Sequence, residues 1–503
     1  MKTSWLAILL VVTAFVYTGF FLSLSSEPFT DAPNHLARAA VMNSLWFDSH
    51  SPFQSRFSAS RIFMPYMLPD LGLILVIQIL GFSVACPVWS TLTMLSLVLA
   101  IWLYARQILT TSWAIAAAVL CSWYFATNYL FILGFFSFQW GVAAAFAALA
   151  ALEGRRKKVY VVACIFCYGA HLASFAMLAA IAGTVSVVRA LRKEQSWSRV
   201  AGDWLPFAAL TAYHLFLVPV HPEAPSGAIT RSTAWDKLGH FFESFFVREN
   251  YTIDRTILVF FWGMVLIAIW LGRRHLREQW ELLTVCGVAA TIYFVLPFGL
   301  AGVFYVDERA LPFFFIPLSM LALRLFEKSA PGSDHVTRLL LTCALLAAAN
   351  LGSLVWFLPR QNRDAAQYRE ALLKIPAGKT VLPIQTRRRD GNTYPLRHAA
   401  SFYVADRNGY EPYLFSQANA SGPAGYFKDL LPIYRPQQNW YLGKGEPDWE
   451  KVARNYDYVV ISKPWRAGRI DLGKLELYYQ NRVATVFRVR RAHNGGQVGN
   501  PPH

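Results

Sequence analysis

Long blocks of apolar residues, separated by short polar links, fill the chain as far as Pro359. A helix needs roughly 20 residues to cross about 30 Å of hydrocarbon, and the blocks approach that length. They lie near 4–24, 69–85, 88–105, 111–130, 137–152, 159–189, 202–220, 256–272, 280–300, 309–326 and 338–358. This pattern predicts a mainly α, polytopic transmembrane bundle of about 10–12 membrane segments.

The first block and the block at 159–189 depart from a simple span. The first follows Lys2 without a clean small-residue cleavage site after it, which predicts a retained signal anchor. The block at 159–189 is too long for one span and too short for two, so we expect two short helices bent near Gly169-Ala170-His171. Four blocks lie between the loop 25–68, which is expected outside, and the basic cluster 155–158, which is expected inside. One of these blocks must therefore not cross the membrane fully, and 69–85 is the candidate.

The composition changes after Pro359: charged residues become frequent, and no later apolar block is long enough to span a membrane. We therefore predict a transmembrane domain at 1–359 and a soluble α/β domain at 360–503. Strand-like runs lie at Lys379–Pro383, Tyr458–Ser462 and Val483–Val489, and helix-like stretches at Asp364–Leu373 and Glu450–Arg454.

Four clusters of Lys and Arg in short links orient the chain. They lie at 155–158, 189–199, 273–277 and 324–328. Cytoplasmic links of membrane proteins are enriched in these residues. If all four clusters are cytoplasmic, the loop 25–68, the segment 221–255, the turn before Arg309 and the C-terminal domain are outside. The expected location is a bacterial inner membrane, with the active site and the C-terminal domain extracytoplasmic.

Composition supports a membrane protein and narrows its partners. The chain is 55% hydrophobic and 15% charged, whereas soluble domains are about a quarter charged. All six cysteines lie in or beside apolar blocks, so no disulfide framework is expected, and Cys164 and Cys167 are interpreted as small apolar residues. The basic C-terminal domain either contacts anionic lipid heads or an acidic polymer, or is a solvated face. No nucleic-acid module is visible, so nucleic acid is not an expected partner.

Candidate chemistry is concentrated in the first external loop. Thr30 or Asp31 can cap a helix that has Pro33 in its first turn. On that helix Asp31, His35 and Arg38 are spaced i, i+4, i+7 and share one face. A carboxylate there can accept a proton from an attacking hydroxyl, and the cations can bind phosphate. The alternative is an N-capping Asp with two solvated neighbours.

This loop and the architecture around it resemble the C-type glycosyltransferases (GT-C fold). That superfamily includes the protein O-mannosyltransferases, the aminoarabinose transferases of lipid A and the oligosaccharyltransferases. Asp31-Ala32-Pro33-Asn34-His35-Leu36-Ala37-Arg38 is similar to the D-x-P-N-H-x-x-R form of uncharacterised bacterial members. The segment Phe131–Phe138 also resembles their Gly-Phe-x-Asn-Phe segment, with Ser137 in place of the usual Asn.

The resemblance implies an integral membrane glycosyltransferase that uses a polyprenyl-phosphate-linked sugar donor. The acceptor would be an envelope glycan, lipid or protein on the periplasmic side, and hexosyl or pentosyl transfer would usually invert the anomeric carbon. Asp31 matches the family's catalytic base, or a ligand of a divalent cation such as Mg or Mn. Because Ala32 follows Asp31 where several relatives have a second acid, a two-carboxylate metal site is in doubt.

Further residues are candidates for substrate binding. Arg309, preceded by Glu308, resembles the Glu-Arg that opens a late span in the bacterial members, and could neutralise a leaving phosphate or snorkel to lipid. His171, at the expected bend, is a site candidate or a hydrogen-bonded core residue. In the first loop, Arg56, Arg61, Tyr66 and Asp70 precede the next block; Asp70 is a second acid or an N-cap. The external segment adds His214, His221, Glu223, His240 and Glu243 without tight ligand spacing.

Two other functions stay open at this point. No Walker, GxSxG or HExxH motif occurs, which disfavours ATP-driven transport and soluble nucleotide-sugar chemistry. A transporter or flippase for a lipid-linked saccharide also needs cations at mid-membrane, and inverted repeats would favour it. A non-catalytic subunit of envelope-polysaccharide assembly is the remaining alternative.

Overall fold

The computed structural model describes residues 3–26, 28–218, 229–243, 245–300, 303–329, 333–386, 393–414, 427–430, 433–436, 446–463, 465 and 470–490. The helices are α1 (Thr3–Leu22), α2 (Ala32–Phe47), α3 (Met67–Leu80), α4 (Phe82–Ile108), α5 (Ser112–Ala126), α6 (Tyr129–Ile132), α7 (Phe136–Glu153), α8 (Lys157–Ala170), α9 (Leu172–Leu191), α10 (Trp197–Leu217), α11 (Ala234–Glu243), α12 (Tyr251–Gly272), α13 (Trp280–Val295), α14 (Leu311–Ser329), α15 (Ser333–Leu373), α16 (Ser401–Arg407) and α17 (Trp449–Asn455). The strands are β1 (Phe57–Ala59), β2 (Ile229–Thr230), β3 (Gly299–Leu300), β4 (Val303–Phe304), β5 (Val381–Ile384), β6 (Phe427–Asp429), β7 (Tyr458–Ser462), β8 (Leu475–Gln480) and β9 (Ala484–Val489).

Each predicted apolar block forms a helix, and the mainly α membrane bundle is confirmed. Among the described residues, seven helical stretches are long and apolar enough to cross a membrane, and one of them, Tyr251–Val295, holds both α12 and α13. The helices α3 and α5 are shorter, with 14 and 15 residues. Each of these two helices is about 21–23 Å long, which is shorter than the hydrocarbon core. This length fits the prediction that one block between 69 and 152 does not cross the membrane fully.

The long block at 159–189 breaks where its sequence predicts. The helix α8 ends at Ala170, His171 adopts an extended conformation with φ −164°, and α9 begins at Leu172. The ring Nδ1 of His171 accepts the backbone N–H of Ala173 at 3.2 Å. The imidazole thereby caps α9 and satisfies one of the amide groups that a helix start leaves unpaired.

The four basic clusters share one end of the bundle. Arg189 at the end of α9 bridges Glu153 at the end of α7 and Glu281 at the start of α13, with N–O distances of 2.6 and 2.7 Å. Lys328 at the end of α14 pairs with Glu278, between α12 and α13. Because α7, α9 and α14 run between this basic end and the residues 136, 172 and 311, those helix starts lie at the opposite end of the bundle.

The C-terminal part begins as a continuation of a membrane helix. The helix α15 runs unbroken through Pro359 to Leu373, so the boundary predicted at 359/360 falls inside a helix. Four strands then form a sheet in the order β5-β7-β9-β8, with β5 and β7 parallel and the other pairs antiparallel. The predicted strand at Tyr458–Ser462 coincides with β7, and α17 covers the predicted helix at Glu450–Arg454. The α/β class is therefore confirmed, with β8 as a strand that the sequence pattern missed.

The C-terminal part rests on the first loop. Strand β1 of the loop pairs with β6, bringing Phe57 opposite Asp429, and α16 packs against α2. The backbone N–H of Ser26 donates to the side chain of Asn362 at 2.8 Å. One buried hydrophobic core includes both Leu36 of α2 and Tyr403 of α16. These contacts bring C-terminal residues to the start of α2.

Candidate active site

Asp31 occupies the N-cap position of α2, but its side chain does not cap the helix. The helix starts at Ala32 with a proline in its first turn, and the Asp31 carboxylate makes no capping hydrogen bond. An N-capping Asp ordinarily accepts from the backbone N–H two or three residues later. The structural alternative for this residue therefore lacks its defining contact, and the carboxylate is available for other chemistry.

The two segments that carry the family resemblance meet at Asp31. The backbone N–H of Asp31 donates to the carbonyl of Leu133 at 3.1 Å. The next residue, Gly134, has φ +79°, and a Cβ on it would lie 2.8 Å from the Asp31 nitrogen. Glycine is needed there both for its left-handed conformation and for this close approach. Phe29, Phe131 and Phe136 pack as an aromatic group beside the contact, with ring centroids 5.3–5.5 Å apart.

The Asp31 carboxylate faces cationic and polar groups from distant parts of the chain. Its Oδ1 lies 3.6 Å from Nε2 of His398, and its side chain is 15% exposed. Burial raises the pKa of Asp31 to about 7, opposed by the positive charges of Arg397, Arg309 and Arg38. At neutral pH this carboxyl is therefore poised between its acid and base forms, which suits a general base.

His398 is oriented by Asn34, a residue of the first-loop motif. The side-chain amide of Asn34 lies 3.1 Å from Nδ1 of His398. With the amide nitrogen donating, Nδ1 accepts, so Nε2 carries the proton and points it toward Asp31. Burial and the nearby Arg397 hold the pKa of His398 well below its usual range. The ring is therefore neutral at physiological pH.

Arg38 and Asp70 form a buried, two-point ion pair. The Nη2 and Nε atoms of Arg38 each lie 2.8 Å from a carboxylate oxygen of Asp70, and Nη2 also lies 3.1 Å from Nδ1 of His35. Asp70 is the fourth residue of α3, whose N-cap is Tyr66, so the N-cap interpretation of Asp70 is wrong. These two contacts hold α2 against α3, and they occupy the guanidinium of Arg38 with a carboxylate of the protein itself.

Arg309 and Arg397 differ from Arg38 in their surroundings. Within the part of the chain that the structure describes, neither guanidinium makes a hydrogen bond or an ion pair, and both Nε atoms are buried without a partner. Arg309 stands over the ring of Phe135 at 5.6 Å and Arg397 over that of Tyr394 at 5.8 Å. Two arginines beside a carboxylate, each with its donors uncommitted, can receive an anionic oxygen group such as a phosphate.

The turn that carries Arg309 is anchored from its other side. Asp307 pairs with Lys237 of α11 at 3.3 Å, and the same Lys237 donates to the carbonyl of Tyr293 at 2.9 Å near the end of α13. The carboxylate of Asp307 also accepts the backbone N–H of Glu308 at 2.9 Å. Glu308 itself is buried, beside Arg309 in sequence, and its carboxylate forms no ion pair with any described residue.

Tyr66 and His171 complete the group. Tyr66 has φ +74°, a left-handed conformation that is strained for a bulky residue and concentrates at functional sites. Its ring meets that of His171 edge-on, with centroids 4.8 Å apart. Arg309 acts electrostatically on both rings. We call Asp31, Tyr66, His171, Arg309, Arg397 and His398 the Asp31 cluster.

Several predicted residues lie elsewhere. Arg61 is exposed and donates to the carbonyl of Trp46, about 20 Å along α2 from Asp31, so the structure does not bring it into the cluster. Arg56 bonds to the carbonyl of Gly378 at 2.7 Å, and His214 to the Tyr168 hydroxyl at 3.0 Å. His240 and Glu243 are exposed on α11, and His221 and Glu223 lie outside the described residues.

The cluster does not fit a divalent cation. Mg²⁺ and Mn²⁺ prefer several oxygen ligands, but the groups around Asp31 are guanidinium and imidazole, and Asp70 is engaged by Arg38. The described residues contain no group of three or more His, Cys, Asp or Glu side chains arranged to hold a metal.

The comparisons with known proteins identify the architecture. No protein-family model matches the sequence, and no curated protein matches it. The apo crystal structure of ArnT from Cupriavidus metallidurans has a similar fold, with a TM-score of 0.57 and 13% identity over 96% of this chain and 98% of that chain. The structure of the same ArnT bound to undecaprenyl phosphate matches with a TM-score of 0.57 and 13% identity over 99% and 100% of the two chains. The archaeal oligosaccharyltransferase AglB from Archaeoglobus fulgidus gives a TM-score of 0.47 and 13% identity over 92% of this chain and 70% of that chain. The likeness to ArnT extends over nearly the whole of both chains, and this integral membrane protein has the GT-C fold.

Proposed function

We propose that this protein is a glycosyltransferase that moves a sugar from a polyprenyl-phosphate donor to a hydroxyl of an envelope glycan, lipid or protein. The observation that carries the proposal is the Asp31 cluster, where a non-capping carboxylate with a pKa of about 7 faces two arginines that form no ion pair within 4 Å with any described residue. A base and an anion site side by side are what transfer from a phosphate-linked sugar requires. The GT-C fold and the undecaprenyl phosphate bound by ArnT support a lipid-linked donor.

In this mechanism each residue has a defined task. The acceptor oxygen attacks the anomeric carbon, its proton passes to Asp31, and the bond from that carbon to the donor phosphate oxygen breaks. Arg309 and Arg397 receive the negative charge that grows on the departing polyprenyl phosphate. His398, with Nε2 3.6 Å from Oδ1 of Asp31, positions the Asp31 carboxylate. Tyr66, His171 and Glu308 line the donor's sugar and phosphate, while the C-terminal part contributes the acceptor side of the cluster.

Inversion at the anomeric carbon is the stereochemical outcome that we propose for a single base. Retention by double displacement needs a second carboxylate as nucleophile close to the first, whereas inversion needs one base. Asp70 is held by Arg38 at 2.8 Å, and Glu308 is assigned to the donor side, so we assign the base role to Asp31. We therefore propose inverting transfer of a hexosyl or pentosyl group.

The active site is proposed to face the periplasm of a bacterial inner membrane. The four basic clusters gather at the end of the bundle opposite the Asp31 cluster, and such clusters mark the cytoplasmic side. A lipid-linked donor delivered through the membrane suits this side, where nucleotide-activated sugars are absent.

Donor consumption in proteoliposomes tests the function. Purified protein is mixed with labelled polyprenyl-phosphate hexoses and pentoses and total envelope lipid as acceptor, and release of free polyprenyl phosphate is measured. Asp31→Asn keeps the shape and removes the base, while Asp48→Asn, on the exposed far end of α2, is the matched control. Release that persists in Asp31→Asn overturns the assignment. Movement of intact donor across the membrane without release would instead identify a flippase, and neither activity an assembly subunit.

A further inference from the structure

A cationic cavity lies at the basic end of the bundle, away from the Asp31 cluster. It has a volume of about 290 Å³ and opens between the turn from α7 to α8 and the first turns of α10. Its lining includes four cations: Arg155, Arg156, Lys157 and Arg199. Nothing in the proposed glycosyl transfer uses these residues.

None of the four cations forms an ion pair with a described residue, although acids lie nearby. Glu153 is taken by Arg189 at 2.6 Å, and Glu194 pairs with Arg192 at 2.8 Å. Asp203, the acid in the cavity lining, accepts the hydroxyl of Ser186 at 2.9 Å. The cavity therefore keeps a net positive charge, and an anion placed in it would meet several uncommitted donors.

The cavity also lies at a lipid-facing boundary. Val159 and Val162 on α8 and Trp197, Trp204 and Leu205 on α10 are exposed apolar residues that flank it. Exposed Trp together with basic residues is typical of the level of lipid headgroups. The lining itself combines polar groups with the apolar side chains of Ala151, Leu152 and Tyr160, which suits a ligand with a charged head and an apolar stem.

The backbone at the cavity is held in a way that favours a functional role for Arg155. The helix α7 ends in a Schellman motif, in which Arg156 N–H donates to the carbonyl of Ala151 at 2.8 Å and Arg155 N–H to that of Leu152 at 3.2 Å. The left-handed position of this motif usually holds Gly, but here Arg155 occupies it with φ +55°. The ammonium of Lys157 lies 3.7 Å from where a Cβ on Gly202 would stand, which places it beside the first turns of α10.

We propose that this cavity binds the phosphate of an anionic lipid headgroup. The phosphate accepts from Arg155, Arg156, Lys157 and Arg199, and the acyl chains leave along the exposed apolar faces of α8 and α10. The cytoplasmic leaflet, where the positive-inside rule puts this end, is the one rich in anionic lipid. The site is independent of the proposed glycosyl transfer.

Lipid binding to the purified full-length protein tests this proposal. Native mass spectrometry measures the binding of phosphatidylglycerol and of zwitterionic phosphatidylcholine, each with and without excess inorganic phosphate. The variant Arg155→Gly/Arg199→Gln removes two cavity cations, and glycine at 155 suits the left-handed backbone, so folding is preserved. The control Arg274→Gln/Arg277→Gln removes two exposed cations of another cluster at the same end.

The expected result is that phosphatidylglycerol binds in preference to phosphatidylcholine and that the cavity variant loses affinity on the order of tenfold, while the control keeps it. If inorganic phosphate displaces the lipid from the wild type and the control but not from the cavity variant, the anion site is assigned to free phosphate rather than to a lipid headgroup. Equal losses in the cavity variant and the control, or no preference for the anionic lipid, would overturn the proposal.

Discussion

The carboxylate of Asp31, at the start of α2, lies 3.6 Å from Nε2 of His398 in the C-terminal part of the chain. Asn34 sets the tautomer of that imidazole from the same helix turn as Asp31. The C-terminal part therefore completes the candidate site. The helix pair α2 and α16 provides the rigid support that this geometry needs.

His398 is expected to act by positioning Asp31. Replacing it with Ala removes the Nε2 donor and should lower kcat by about tenfold while leaving the donor KM unchanged, because the ring does not bind the donor. His398→Gln keeps a donor near the Nε2 position and should retain most of kcat. Steady-state kinetics of both variants checks this, with exposed His50→Ala as control. A Gln variant as impaired as the Ala variant would contradict a positioning role.

Activity should depend on pH through Asp31. Because burial raises its pKa to about 7, the base form is lost as pH falls through that value, and kcat/KM should decline below about pH 7 and level off above it. Arg397 gives the largest opposing stabilisation of the carboxylate. Arg397→Gln should therefore move the midpoint to higher pH, whereas Arg363→Gln, exposed on α15, should not. An unmoved midpoint in Arg397→Gln would count against Asp31 as the titrating group.

The stability of Asp31→Asn separates a catalytic from a capping role. A folded-state pKa above the unfolded value means that the native protein holds its proton more tightly, so the ionisation of Asp31 costs stability as pH rises from about 4 to about 7. Asparagine cannot ionise, so the variant should melt at a higher temperature than the wild type at pH 8.5, and the two should converge near pH 4. Thermal unfolding in detergent at both pH values measures this. A variant less stable at pH 8.5 would indicate that the carboxylate supports the fold.

Much of the fold could be predicted because lipid imposes a simple pattern on the sequence. Apolar blocks of membrane length and the overlong block at 159–189 define the helices and the break at His171 without tertiary knowledge. The site was predictable only where it is local, as for Asp31 and Arg309. Arg397 and His398 reach Asp31 through tertiary packing alone, so no spacing rule could select them. Asp70 follows Pro69 near a helix start and looks like a cap, because its partner Arg38 belongs to another helix.

The pair of Arg38 and Asp70 should matter for folding. Asp70→Asn leaves a buried guanidinium without its counter-charge, which typically costs about 3–5 kcal/mol. Thermal unfolding should therefore show a large loss of stability, whereas activity per folded molecule should change little. The double variant Arg38→Met/Asp70→Leu removes both charges and should recover much of the stability. If the double variant is folded but inactive, Arg38 has a direct role with substrate.

Substitution of Arg309 should lower activity without lowering stability, which is the opposite of the expectation for Asp70→Asn. Its guanidinium contacts the Phe135 ring but makes no hydrogen bond or ion pair with any described residue, so Arg309→Gln removes no counter-ion from the fold and should unfold at or above the wild-type temperature. Losing a cation at the leaving phosphate should lower kcat by about 10²-fold. Arg309→Lys keeps the charge without the planar fork and should fall between the two. The control is exposed Arg231→Gln. Steady-state kinetics and thermal unfolding are measured on the same preparations. A variant that loses stability and activity together would show that Arg309 supports the fold rather than the leaving phosphate.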